Sequence, residues 1–173
     1  GNIIKYQELA GACGLNYKEL KKHLNILSKT YIISLVPPFF TNKRTELVKN
    51  PKVYFNDLGL RNYSIADWRA AGVRNDLGSL AENYGFILLE KIFGGQLKYW
   101  RTKAKAEVDF IITREQSAYP LEIKYSSKRL IGKSLFSFID KFNPPAALIL
   151  TKDYIGEEKI KNTKVKFIPL NYF

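Results

Sequence analysis

Glu107-Val108-Asp109-Phe110-Ile111-Ile112 and Tyr119-Pro120-Leu121-Glu122-Ile123-Lys124 are two apolar runs, each broken by charged residues. Side chains on a strand alternate between faces. Glu107 and Asp109 therefore share one face of the first strand, and Glu122 and Lys124 share one face of the second. The polar segment Thr113 to Ala118 between them reads as a hairpin loop. With the turn centred on Glu115 and Gln116, Asp109 falls opposite Glu122, and Glu107 opposite Lys124. Carboxylates directly opposed across a ladder repel each other. A divalent cation between them reverses that sign, and oxygen-only ligands suit Mg²⁺ or Mn²⁺. The alternative is a pair of ordinary sheet salt bridges, Lys124 with Glu107, and Arg101 or Lys105 with Asp109.

Outward from these strands, Leu77 to Phe93 carries helical spacing, with Leu80, Tyr84, Ile87, Leu88 and Ile92 as its apolar positions. Gly94-Gly95 stops that helix, and Leu97 to Arg101 reads as a strand. Glu82 and Glu90, eight residues apart, lie on roughly one side of the helix. Beyond the two acidic strands, a helix is expected from about Ser127 to Phe142, with Leu130, Leu135, Phe138 and Phe142 apolar. Pro144-Pro145 ends it. Ala146 to Leu150 is a continuous apolar run, suited to a buried parallel strand. Val165 to Leu170 is the last strand. The order is helix, three strands, helix, strand, strand.

The N-terminal part has a different pattern. Residues 4 to 12 show helical spacing, Gly14 breaks it, and Asn16 is a good cap for a second helix. Tyr17 to Lys29 holds Leu20, Leu24 and Leu27 on one stripe, with Lys18, Lys21 and Lys22 opposite and His23 at the flank. Tyr31 to Val36 and Val53 to Phe55 read as strands joined through a basic tip containing Lys43 and Arg44. Helix, turn, helix and hairpin is the order of a winged helix-turn-helix, which docks on DNA or on protein. Residues 1 to 64 carry ten basic and four acidic side chains, half of the net charge of +12. The fold class expected is therefore α/β (α+β), in two domains. The first spans 1–64, a linker spans 65–76, and the second spans 77–173.

The composition is 46% hydrophobic and 14% aromatic, which argues against a disordered chain. A net charge of +12 favours a polyanionic partner, most often nucleic acid. One cysteine, Cys13, excludes an internal disulfide, and one cysteine with one histidine argues against a Cys/His zinc site. A reducing, cytoplasmic setting is expected. No run approaches the length that spans a bilayer, so no membrane partner is expected. A chain without methionine that begins at Gly1 is expected to be a fragment of a longer protein.

The spacing from Asp109 to Glu122-Ile123-Lys124 fits the D…E-x-K pattern of metal-dependent phosphodiesterases. Acids there hold Mg²⁺, and the lysine orients water or stabilises developing charge. With Glu82 on the preceding helix, the αβββαβ order resembles the PD-(D/E)XK nuclease superfamily. More narrowly, Tyr54-Phe55-Asn56-Asp57-Leu58-Gly59-Leu60, Glu82-Asn83-Tyr84, Glu90, Tyr99-Trp100-Arg101-Thr102, Glu107-Val108-Asp109-Phe110 and Glu122-Ile123-Lys124 resemble the C-terminal region of prokaryotic AAA+ family ATPases. There a winged helix precedes a nuclease-like domain. The resemblance implies a restriction-endonuclease-like αβββαβ domain, a Mg²⁺ site at Asp109 and Glu122, a catalytic lysine at Lys124 and a helix acid at Glu82, with Glu90 in reserve.

The expected partners are DNA and the protein's own N-terminal ATPase domain, and a homo-oligomer is compatible. DNA contacts are expected at Lys18, Lys21, Lys22, Lys43, Arg44, Arg101, Lys103 and Lys105. ATP would bind only in the missing N-terminal part. Gly132-Lys133-Ser134 looks like the end of a P-loop, but its first glycine would fall on Ser127 inside the expected helix, so it is set aside. Two readings of the function stay open: a metal-dependent DNA endonuclease, and a nuclease fold without activity that serves as a DNA-binding or protein-docking module.

Overall fold

The computed structural model describes residues 1–41 and 49–172. Lys43 and Arg44, expected at a hairpin tip, lie outside these residues. The chain is α+β and divides into two compact units, Gly1–Arg74 and Asn75–Phe173.

In the first unit, β1 (Asn2–Ile3), β2 (Ile33–Val36) and β3 (Lys52–Phe55) form an antiparallel sheet in the order β1-β3-β2. Helix α2 (Tyr17–Lys29) packs on β2, and α1 (Tyr6–Ala12) packs against α2. α2 has the bounds its periodicity predicts. Asn16 Oδ1 accepts from the Glu19 N–H at 3.0 Å, and the Glu19 carboxylate accepts from the Asn16 N–H at 2.9 Å. This reciprocal capping box satisfies two donors that a helix start leaves orphaned. Leu20 and Leu24 are buried with Ile4, Ala10 and Ile33. Asn16→Ala should cost about 1 kcal/mol, measured by denaturant melts.

A further helix, α3 (Leu58–Ser64), follows β3, with Asp57 Oδ1 accepting from the Leu60 N–H at 2.6 Å. The stretch 65–74, expected as linker, clusters with this unit. Its anchor is Arg74, whose side chain is buried. Nη1 donates to the Asp67 carbonyl at 2.7 Å, and the Asp67 carboxylate in turn pairs with Arg69.

The second unit contains α4 (Leu77–Phe93), β4 (Lys98–Arg101), β5 (Glu107–Arg114), β6 (Ser117–Lys124), α5 (Lys133–Phe142), β7 (Ala146–Thr151), β8 (Gly156–Ile160) and β9 (Thr163–Pro169). The six strands form one sheet in the order β4-β5-β6-β7-β9-β8. β7 runs parallel to both β6 and β9, as its continuous apolar run predicts. The expected order lacked β8, an edge strand.

The β5–β6 hairpin closes through Glu115 and Gln116, at φ 47° and 66°. Two left-handed central residues are what a two-residue type I′ turn requires. The register runs from Arg114↔Ser117 to Phe110↔Leu121. Continued by one residue, it sets Asp109 opposite Glu122.

The two helices that frame the site correct the expected apolar positions. In α4 the buried residues are Ala81, Asn83, Gly85, Phe86 and Leu89, while Tyr84 and Ile92 are exposed. Gly85 explains the rotation. A β-carbon there would lie 2.0 Å from Ile123 Cδ1, so the missing side chain lets α4 seat directly on β6. α5 begins at Lys133 rather than near Ser127, with Gly132 as its N-cap, and Leu130 is exposed. Leu135 and Ile139 pack on Ala147, Ile149, Val165 and Phe167. Glu122 pairs in register with Ile149, so its side chain and α5 share a face of the sheet.

Candidate functional site

The ladder between β5 and β6 supports the site by ending before it. Asp109 Oδ2 accepts the Ile123 N–H at 2.8 Å, so a side chain serves a backbone donor where the strands part. Both strands thereby present their acids at one end of the sheet. Glu122 is nearly completely buried, with 1% of its side chain exposed, and neither carboxylate oxygen has a hydrogen-bond partner. Lys124 Nζ stands 3.3 Å from Glu122 Oε2, an ion pair without hydrogen-bond geometry.

The electrostatics follow from this placement. Burial pushes the Glu122 carboxyl up to about 7, against the attraction of Lys124, and the charge of Asp109 adds to the rise. Burial pulls the Lys124 ammonium the other way, but Glu122 and Asp109 outweigh it, with a smaller contribution from Glu82. Lys124 is therefore held charged above its ordinary range. The two shifts differ because Lys124 keeps a third of its side chain in water while Glu122 keeps almost none. Glu82, half-buried on α4, is close enough for its charge to reach Lys124. Glu90 is further along the helix, where its carboxylate would lie 4.0 Å from a β-carbon on Gly95.

Arg101 binds Glu107 at 3.0 Å, and Lys124 binds Glu122. Sequence reading missed the roof of the site, the start of α5. A β-carbon on Gly132 would lie 3.4 Å from Glu122 Oε2 and 3.8 Å from Lys124 Cε. Ser134 Oγ accepts the Glu107 N–H at 3.1 Å, tying the first turn of α5 to the first residue of β5. The Gly-Lys-Ser motif was the available signal. It marks a helix N-terminus against carboxylates.

The expected DNA contacts have separate placements. Lys103 and Lys105 are exposed on the β4–β5 loop, while Arg101 is engaged by Glu107. Lys18 and Lys22 are exposed on α2. Lys21 is exposed too, but its ammonium sits 4.9 Å from the Tyr17 ring centre and 5.6 Å from that of Tyr6, a cation–π arrangement. His23 is exposed, with Nδ1 2.8 Å from the Glu19 carbonyl oxygen.

The donor set fits a hard divalent cation. Two buried or half-buried carboxylates face each other, and among the described residues neither Glu122 oxygen is hydrogen-bonded. Among the described residues no group of three or more His, Cys, Asp or Glu side chains forms a metal cage. Mg²⁺ characteristically uses one or two carboxylates, keeps several waters and completes its shell with phosphate.

Residues 77–173 match the family model described as Domain of unknown function (DUF4143), and residues 1–71 match that of Domain of unknown function (DUF8612). The chain is 29% identical over 140 residues to Uncharacterized protein Mb2031c of Mycobacterium bovis and to Uncharacterized protein Rv2008c of Mycobacterium tuberculosis. The match covers 79% of this chain and 32% of each relative, so the chain spans about a third of the length of these curated relatives. Among the described residues no helix is long and apolar enough to cross a membrane.

Proposed function

The chain belongs to the DUF4143 family, and we propose that it is the C-terminal part of an AAA+ type ATPase that binds DNA and carries a Mg²⁺-dependent phosphodiester-cleaving site. In this reading the second unit is a restriction-endonuclease-like αβββαβ domain, and the first is a winged helix-turn-helix. The observation that carries the reading is Glu122. A carboxylate buried to 1% exposure, without a hydrogen bond, faces Asp109 and sits beside a charged lysine. Buried acids are costly even when a lysine stands beside them, and strongly perturbed acids gather at functional sites.

Asp109 and Glu122 would hold the cation, which when bound polarises a phosphoryl oxygen and acidifies a water. Lys124, held protonated by its acidic neighbours, supplies positive charge beside the reacting phosphate. Glu82 bears on Lys124 from α4 and helps keep it charged. Gly132 leaves open the space that a phosphate oxygen would need above Glu122.

A second reading is a nuclease fold without activity, serving as a DNA-binding or docking module of the ATPase. One observation favours it: Lys124 already lies on Glu122 and partly neutralises the site. Plasmid cleavage separates the two. The wild type should cut in Mg²⁺ or Mn²⁺ and be silent with a chelator. Asp109→Asn retains an oxygen for the Ile123 N–H but loses the charge, and should abolish cutting. Equal cutting by both proteins, or none by the wild type, ends the first reading.

A further inference from the structure

The segment that leaves β6 and reaches α5 carries a charge pattern that the D…E-x-K motif does not explain. From Ile123 to Ile139 the sequence holds Lys124, Lys128, Arg129 and Lys133 and not one acid. The segment is also firmly anchored. The Lys152 N–H donates to the Ser126 carbonyl at 3.2 Å, and the Ser127 hydroxyl donates to Asp153 Oδ2 at 3.0 Å. The Lys128 N–H donates to Ser126 Oγ at 3.1 Å, and Arg129 pairs with Glu158. The nearby acids, Asp153 and Glu158, are thus committed to holding the segment in place. Lys128 and Lys133 are exposed and have no acidic partner among the described residues.

The segment ends on Gly132, directly above Glu122. The first N–H groups of α5 lack helical acceptors and lie at the positive end of the helix. A helix start facing a buried carboxylate paired with the Lys124 ammonium is a place where cationic groups and an anion fit together.

We infer that Lys128, Lys133 and the start of α5 form a phosphate track that carries one strand of a polynucleotide from the Asp109–Glu122 pair along the Ser126–Ser134 segment. The ligand is the sugar-phosphate backbone, and base identity plays no part. This rests on the DNA reading above and deepens it by naming the side on which the backbone leaves the site. The track is distinct from Lys103 and Lys105 on the β4–β5 loop.

The test is fluorescence anisotropy of the whole chain with short labelled duplex and single-stranded DNA, without metal, over a salt series. Lys128→Ala/Lys133→Ala should weaken binding on the order of tenfold or more near physiological salt. It should also make the log–log salt slope shallower by about 1.8, since two fewer phosphates are neutralised. Lys159→Ala/Lys166→Ala removes the same charge from the sheet face turned away from α5, and should change affinity less than about twofold. Equal losses in the two double variants would reduce the track to net charge and overturn it, as would an unchanged Kd in the first. A wild type that binds neither DNA also overturns it. Cleavage is scored separately: the cleavage reading fails if bound DNA is never cut, which leaves the track standing.

Discussion

Glu122→Gln should raise the melting temperature of the metal-free protein at pH 8, on the order of 10 °C. The reason is the desolvation of a carboxylate with 1% exposure and no hydrogen bond. Folding moves its pKa from 4.5 to about 7. A rise of about 2.5 units at about 1.36 kcal/mol each corresponds to roughly 3 kcal/mol. The sign follows from proton binding. Between pH 4.5 and 7 the folded state holds more protons here than the unfolded state does. Stability therefore falls as pH rises through that window, and the loss is complete above it.

Lys124 does not reshape this window. Its raised folded pKa gives stability that is whole below its ordinary value of 10.5 and fades only at higher pH. Wild type should thus melt higher at pH 5 than at pH 8, and Glu122→Gln should flatten the profile. Added Mg²⁺ should stabilise the wild type at pH 8 and leave the variant unmoved. A Glu122→Gln protein that melts lower than wild type at pH 8 would show that the ion pair with Lys124 outweighs the cost of burying the carboxylate.

Phe138→Ala should cost about 3–5 kcal/mol, read by denaturant unfolding. Phe138 is fully buried and meets Trp100 edge-on at 5.2 Å and Phe142 at 4.5 Å between ring centres. The loss combines transferred area, a cavity and two ring interactions. These rings fix α5 against the sheet, and the start of α5 places Gly132 over Glu122 and Ser134 on Glu107. The variant should therefore lose Mg²⁺ stabilisation beyond what its lower stability accounts for. Phe138→Leu, which keeps most of the volume, should retain it.

The hairpin, α2, α4 and β7 were legible because each carries its period in large apolar side chains and its stop in glycine, proline or a cap. The contact face of α4 was not, because apolar residues stand all round this helix and the buried side, with Phe86 and Leu89, is set by the small Ala81 and Gly85. β8 escaped for a related reason. As an edge strand of sequence Gly-Glu-Glu-Lys-Ile, it keeps no fully buried position and shows no apolar alternation. α3 is equally short of buried side chains.

The acids of the candidate site were legible from alternation, since period two fixes which side chains share a face. The parting of the strands was not. It depends on Asp109 taking the Ile123 N–H, a choice between side chain and backbone that no pattern encodes. The roof was not legible because the role of Gly132-Lys133-Ser134 lies in its spatial neighbours, Glu122 and Glu107, which are distant in sequence.

The turn at Glu115 and Gln116 is an exposed loop tip, the kind of place where chains ordinarily accept insertions. Here its length is a gauge. Neither residue is glycine, asparagine or aspartate, yet both hold left-handed backbone, so the turn is kept short at a conformational cost. One residue more, with the pairing slipped to absorb it, would turn Glu122 and Lys124 toward α4 and bring Ile123 to face Asp109. The chemistry at one end of the hairpin is thus metered from the other, and length variation among relatives should avoid this loop while accumulating elsewhere on the surface.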